Sequence, residues 1–221
     1  MPSNRKFSLV VFDWDGTLMD TTGAIVHAIR QSAADLGLPV PSPERAAHVI
    51  GLGMLEALAH AVPELPRERV PEYLERYRLH YFSRDATLVP FEGIVGLLER
   101  LAASDAWVAG ATGKSRAGLD RSLEQTGWSR FFVTTRTADE GAPKPDPWML
   151  RDICEELGVD PGDAVMIGDT THDLDMAIAA GTAAIGVTYG AHPRAELAAR
   201  ATLGLVDRPG ALADFLLPRV R

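Results

Sequence analysis

The chain has 221 residues, of which 46% are hydrophobic and 24% charged, a composition typical of globular proteins and not of disordered ones. Its net charge of −8 at neutral pH argues against a broad surface for nucleic acid or anionic membrane. No apolar run approaches the roughly 18 residues that cross a bilayer, and the N-terminal apolar stretch is too short for a signal peptide. With Cys154 as its single cysteine, the chain has no intrachain disulfide. We therefore expect a cytoplasmic protein without nucleic-acid or membrane partners, and we leave its oligomeric state open between monomer and homodimer.

Short apolar runs and helical patterns predict an α/β architecture. The runs cover residues 7–12, 106–111, 131–135, 164–167 and 183–187, and most lack strict alternation, as expected for strands covered on both faces. Helical spacing of apolar residues recurs at 92–101 and 146–157. Strands alternating with helices of this length are typical of βαβ units, so we expect a Rossmann-like parallel sheet.

The segment between the first two runs has a different pattern. Apolar spacing and proline positions predict helices at 21–36, 43–49, 54–61 and 67–84, and nothing there favours a strand. We expect an all-α helical cap formed by residues 19–89. It would be inserted into a core formed by residues 1–18 and 90–221.

Two carboxylates follow the first predicted strand. Asp13 and Asp15 stand in the stretch Asp-Trp-Asp-Gly-Thr, directly after an apolar run. The carboxyl ends of parallel strands are where open α/β sheets place their sites, and Gly16 allows a sharp turn there. A polar turn with an incidental acidic pair is the alternative interpretation.

The fourth run ends in a similar way, in Gly-Asp169-Thr-Thr-His-Asp173. Asp173 could simply begin the next helix, where a carboxylate favours the helix dipole, but Asp169 directly follows the run. If the first and fourth strands are neighbours, three or four carboxylates converge. Such a cluster repels itself unless a hard cation lies among its oxygens, so the sequence predicts a Mg²⁺ site.

Two further loops supply groups suited to an anion. Thr112 and Gly113 follow the second run and offer a hydroxyl and backbone N–H groups near a helix start. Lys144 lies between two prolines, which restrict the backbone that carries its ammonium. The Thr-Gly-Lys-Ser sequence around Lys114 resembles the end of a nucleotide-binding P-loop, but the earlier glycine of that motif is replaced by Val108.

These segments resemble the motifs of the haloacid dehalogenase-like hydrolase superfamily, in its phosphatase branch. The similarity covers DxDGT at 13–17, a Thr after the second strand at Thr112, a Lys in a KPxP loop at Lys144, and GDxxxD at 168–173. The insert is similar to the helical cap of the phosphoglycolate phosphatase and β-phosphoglucomutase group. Two positions depart from the common pattern. Leu or Phe is more frequent at the position of Trp14, and Asn is more frequent at the position of Gly113. The missing Asn side chain puts one substrate-orienting hydrogen bond in doubt.

The resemblance implies a phosphatase that acts on a small phosphorylated metabolite, of the phosphoglycolate or sugar-phosphate type. By this resemblance Asp13 is the nucleophile that forms an aspartyl-phosphate, and Asp15 is the general acid and base. Lys144 offsets the repulsion between the two anions, and Thr112 with the Gly113 N–H holds the phosphoryl oxygens.

The resemblance also implies Mg²⁺ as the cofactor. A side-chain oxygen of Asp13, the backbone carbonyl of Asp15 and the carboxylate of Asp169 would bind the ion. Asp173 would bind it through water or brace Lys144.

Other features have less specific interpretations. The loop around Gly51 and Gly53 is expected to face the site by resemblance, although two glycines also suit a plain helix–helix turn. We expect His172 and His192 on the solvated surface. A phosphomutase, a dehalogenase and a catalytically silent binding module on the same scaffold are the alternatives. Asp15 argues against the dehalogenase, whose branch lacks this second acid, and the complete set of acidic residues and lysine argues against a silent module.

Overall fold

The computed structural model describes residues 6–83 and 89–221. Residues 1–5 and the last residue of the helix expected at 67–84 lie outside these ranges. None of the helices in the described ranges combines the length and apolarity that a membrane span requires.

In the described part of the chain, a six-stranded parallel sheet forms the centre of the fold, in the order β5-β4-β1-β6-β7-β8. Its strands are Leu9–Phe12 (β1), Trp107–Thr112 (β4), Thr134–Thr137 (β5), Ala164–Gly168 (β6), Ala183–Val187 (β7) and Leu205–Val206 (β8). The expected α/β class is confirmed, and β1 does lie beside the strand of the fourth run, β6. In register, Phe12 aligns with Gly110 of β4 and Ile167 of β6, so the loops after all three strands meet at one edge.

Helices cover both faces of this sheet, which explains why β1, β6 and β7 are apolar along their length. The side chains of β1 alternate between two buried clusters: Val10 and Phe12 enter one, Leu9 and Val11 the other. The first cluster includes residues of Ile94–Ala102 (α5), Arg116–Thr126 (α6) and Pro209–Leu216 (α10). The second includes residues of Trp148–Leu157 (α7), Thr171–Ala180 (α8) and Arg194–Ala198 (α9).

The segment between β1 and β4 is mainly helical, as predicted. Its helices are Thr22–Asp35 (α1), Pro43–His48 (α2), Met54–Ala61 (α3) and Val70–Phe82 (α4). They share a third apolar cluster, within which the hydroxyl of the buried Tyr73 donates a 2.6 Å hydrogen bond to the carbonyl of Ile29. This cluster gives the helical segment an apolar interior separate from those of the sheet.

Three details of the strands differ from the sequence predictions. Met19–Asp20 (β2) and Val89–Pro90 (β3) pair as a short antiparallel ribbon. The ribbon lies where the chain passes from the sheet into the helical segment and back, and no strand was expected there. The strand expected at 131–135 begins only at Thr134, because Trp128–Phe131 forms a 3₁₀ turn. The two-residue β8 was not predicted, since so short a run carries no periodic signal.

Candidate active site

The site lies at the carboxyl edge of the sheet and is centred on a buried ion cluster. Asp13 directly follows β1, and its backbone N–H donates to the carbonyl of Ile167 on β6 at 2.9 Å. The ammonium of Lys144 donates to Asp13 Oδ1 at 2.7 Å and to Asp173 Oδ1 at 2.6 Å. All three charged side chains are essentially inaccessible to solvent. Lys144, which was selected as a candidate because prolines flank it in the sequence, therefore lies at the bottom of the site.

Asp169 and Asp173 reach the cluster from the loop after β6 and the first turn of α8. Asp169 accepts hydrogen bonds from the hydroxyl of Thr17 at 2.9 Å and the backbone N–H of Ala191 at 2.7 Å. Asp173 closes a capping box with Thr170, whose backbone N–H and hydroxyl both donate to Asp173 Oδ2. Because Lys144 and Thr170 occupy both oxygens of Asp173, its contacts favour the role of bracing the lysine.

Close packing at the turn after β1 requires a glycine. Gly16 has φ of +80°, and a Cβ there would lie 2.2 Å from an oxygen of Asp169. Gly16 therefore allows the loop after β1 to approach the carboxylate that follows β6.

The electrostatics of the cluster suit a divalent cation. Oxygens of Asp13, Asp169 and Asp173 lie within 4.8 Å of one another. Asp13 Oδ2 is buried, and no described group hydrogen bonds to it. Burial is the main cause that raises the pKa of Asp13 to about 7, while Lys144 opposes that rise and Asp173 adds to it. Burial, with Asp13 and Asp173, also holds the pKa of Asp169 well above its usual range. An all-oxygen donor set with one unpartnered buried oxygen fits Mg²⁺.

Asp15 lies beside this cluster and has partners of its own. The hydroxyl of Thr21 donates to Asp15 Oδ1 at 2.7 Å, and Lys114 Nζ lies 2.9 Å from Asp15 Oδ2. Lys114 also donates to the hydroxyl of Tyr81 on α4, at 3.4 Å. Burial alone would lower the pKa of Lys114, but the attraction of Asp15 and Tyr81 raises it overall, so this side chain is a cation at the site.

Thr112 and Gly113 stand at the end of β4, against the loop of the helical segment. A Cβ on Gly113 would lie 2.5 Å from the carbonyl oxygen of Gly51 and 2.7 Å from that of Leu52. The structure therefore explains the departure at Gly113, since a side chain there would collide with backbone. Gly53, two residues after Gly51 in the chain, lies against Pro143.

The comparisons with known proteins agree with this geometry. Residues 10–187 match the family model described as haloacid dehalogenase-like hydrolase. The chain belongs to this hydrolase family. It is 37% identical over 205 residues to "Probable phosphatase IndB" of Dickeya dadantii, which covers 90% of this chain and 89% of the relative. It is 30% identical over 196 residues to the "Phosphoglycolate phosphatase" of Agrobacterium fabrum, covering 86% and 84%.

The fold is also that of a solved hydrolase structure. A crystal structure of a hydrolase from Pseudomonas syringae superposes with a TM-score of 0.87, covering 97% of this chain and 100% of that one. At 21% sequence identity, this likeness concerns the fold alone. The match to the family model over residues 10–187 confirms the resemblance expected from the four motifs.

Sequence reasoning missed two features of this haloacid dehalogenase-like site. Lys114 was set aside with the P-loop comparison, yet it pairs with Asp15. His192 was expected on the surface but is 2% exposed. Its Nδ1 accepts from the backbone N–H of Thr171, and its Nε2 lies 3.1 Å from the carbonyl of His48 on α2. The Lys114 pair could have been suspected from its position two residues after Thr112, whereas the burial of His192 leaves no mark in the local sequence.

Proposed function

We propose that the protein is a Mg²⁺-dependent phosphatase that hydrolyses a small phosphomonoester through an aspartyl-phosphate on Asp13. The single observation that carries the proposal is the unpartnered Asp13 Oδ2, buried within a cluster of acidic groups and lysine. Membership of the hydrolase family and the phosphatase relatives support it. Phosphoglycolate or a sugar phosphate is the substrate type expected from the motifs.

The first half of the proposed reaction transfers the phosphoryl group to the protein. A carboxylate oxygen of Asp13 forms a bond to phosphorus while the ester P–O bond breaks, and the leaving alcohol takes a proton from Asp15. The Lys144 ammonium, 2.7 Å from Asp13 Oδ1, offsets the repulsion between carboxylate and phosphate. Thr112 and the backbone N–H of Gly113 are proposed to hold the phosphoryl oxygens.

The second half returns the protein to its starting state. Asp15 takes a proton from water as the water oxygen bonds to phosphorus, and the bond between Asp13 and phosphorus breaks to release inorganic phosphate. Thr21 and Lys114 contact the two oxygens of the Asp15 carboxylate, which fixes its orientation as it takes the proton from water. Asp13 and Asp169 are the side chains proposed to hold Mg²⁺, together with the backbone carbonyl of Asp15, while Asp173 braces Lys144. The ion would neutralise charge on the transferring phosphoryl group.

We also propose the division into a core of residues 1–18 and 90–221 and a cap of residues 19–89. The third apolar cluster and the β2–β3 ribbon at both crossings support this division. Gly51 and Gly53 would then belong to a cap loop that closes over the site and helps to select the substrate.

Release of inorganic phosphate from p-nitrophenyl phosphate tests the proposed function. We expect turnover that EDTA abolishes and added Mg²⁺ restores. Asp13→Asn should lower kcat by at least about a thousandfold, a loss of about 4 kcal/mol of transition-state stabilisation. Asp214→Asn removes the same charge from an exposed position on α10 and is the matched control. Substantial hydrolysis by the Asp13 variant would refute the nucleophile assignment.

Two further measurements address the metal and the alternative activity. Calorimetric titration with Mg²⁺ should show binding to the unaltered chain and a large loss of affinity in Asp169→Asn, independently of any turnover. A phosphomutase would pass the phosphoryl group between positions on a sugar phosphate, so phosphorus NMR of a sugar-phosphate reaction separates isomerisation from phosphate release. A silent module would show neither reaction.

A further inference from the structure

A cavity of about 1160 Å³ opens beside the ion cluster and extends between the helical segment and the core. Asp13, Asp15 and Thr112 line one part of it, so the cavity is continuous with the proposed phosphate site. Pockets for drug-sized ligands have volumes of about 300–1,000 Å³. The space is therefore far larger than a two-carbon acid such as glycolate requires.

The wall that the helical segment contributes is mainly apolar. Ile25 and Ile29 of α1, Leu58 of α3 and Leu74 of α4 line it. Tyr77 and Tyr81 add aromatic rings one helical turn apart, stacked with an interplanar angle of 14° and centroids 5.9 Å apart. Apolar and aromatic surface of this kind binds groups that leave water readily.

The charges that line the cavity leave little for a charged leaving group in its interior. In the part of the chain that the structure describes, Asp13 pairs with Lys144, and Asp15 pairs with Lys114. The other described charged residues of the lining are exposed arginines: Arg78, Arg121 and Arg130. A carboxylate or a second phosphate in the interior would have to compete for the ammonium of Lys114.

We propose that the substrate is a phosphomonoester with an extended, mostly apolar leaving group. The phosphate lies at the ion cluster, and the leaving group lies along α1 and α4. This inference rests on the proposed phosphatase activity but revises the substrate type expected from the motifs, because it places glycolate and other small polar leaving groups among the poorer substrates. The physical basis is the removal of apolar surface from water on both substrate and wall.

A series of primary alkyl phosphates tests the proposal with the unaltered chain. Ethyl, butyl and hexyl phosphate have leaving alcohols of similar acidity, so differences in kcat/KM report contacts with the chain. We expect kcat/KM to rise about fourfold for each added methylene. 2-Phosphoglycolate should react with a kcat/KM below that of hexyl phosphate. A kcat/KM that is flat or falls with chain length, or that is highest for phosphoglycolate, would overturn the inference while leaving the phosphatase proposal intact.

A variant at the cavity wall provides a second test. Ala117 is exposed on α6 and lines the cavity, so Ala117→Trp would fill part of it without disturbing a buried cluster. We expect the ratio of kcat/KM for hexyl over ethyl phosphate to fall at least fivefold. Leu203→Trp places the same ring at an exposed position that does not line the cavity, and it should leave the ratio unchanged. Equal ratios in the two variants would contradict the inference, and the absence of hydrolysis with every ester would refute the proposed function as well.

Discussion

Replacing Lys144 by methionine removes the ammonium that joins Asp13 to Asp173. Methionine has a similar length and no charge, so the change leaves two carboxylates buried without their cation. Removing one partner of a buried ion pair costs about 3–5 kcal/mol of folding free energy. We expect Lys144→Met to lose that amount at pH 8 in the absence of divalent ions.

The loss should depend on pH with a definite sign. Without Lys144, the pKa of Asp13 in the folded state rises beyond about 7, while in the unfolded chain it stays near 4. The folded variant therefore binds protons that the unfolded chain does not, and its stability falls as pH rises. Relative to the unaltered protein, Lys144→Met should lose more stability at pH 8 than at pH 5.

Urea unfolding followed by circular dichroism measures both effects. Arg76→Met removes a positive charge from an exposed position on α4 and should change the free energy of unfolding by less than about 0.5 kcal/mol. Adding Asp173→Asn to the Lys144 variant removes one unpaired carboxylate and should recover part of the loss, as a double-mutant cycle would show. A loss below about 1 kcal/mol at pH 8 would refute the account of the cluster.

Three other predictions concern the glycine contact, the buried histidine and covalent chemistry. Gly113→Asn should lower kcat/KM at least tenfold through collision with the carbonyl of Gly51, whereas Gly96→Ala, in open space on α5, should leave it unchanged. Burial, together with the nearby His172, lowers the pKa of His192 to about 4. As the pH falls below about 6.5, the unfolded chain therefore takes up a proton at His192 that the folded chain does not. The free energy of unfolding, measured in urea at pH 7 and 4.5, should fall by about 2 kcal/mol less for His192→Asn than for the unaltered protein as the pH is lowered. Retained configuration at phosphorus, measured with a chiral phosphate ester, is expected from two successive displacements, and inversion would indicate direct attack by water.

The arrangement of the acidic residues could be predicted because it depends on local signals and one topological rule. Asp13 and Asp169 each follow an apolar run directly, and parallel strands place such residues at one edge. The two carboxylates can meet only if β1 and β6 are neighbours. The sequence did not decide this, and the strand order of the sheet shows that they are.

The contacts that escaped prediction join residues far apart in the chain. Lys114 meets Tyr81 of α4, and His192 meets the carbonyl of His48, across the boundary between sheet and helical segment. Neither contact produces a period or a spacing in the sequence. The same holds for Gly113, whose missing side chain is explained only by the backbone of Gly51 packed against it.

The residue that receives the phosphoryl group is the most direct test of the proposed chemistry. Acid quenching during turnover, reduction of acyl phosphate with borohydride and peptide mass spectrometry identify that residue. With p-nitrophenyl phosphate, whose leaving group departs without a proton from Asp15, Asp15→Asn should slow the second half of the reaction and increase the trapped fraction. The account predicts conversion of Asp13, and of no other carboxylate, to homoserine. Recovery of the reduced residue at Asp169 or Asp173, with Asp13 unchanged, would contradict it.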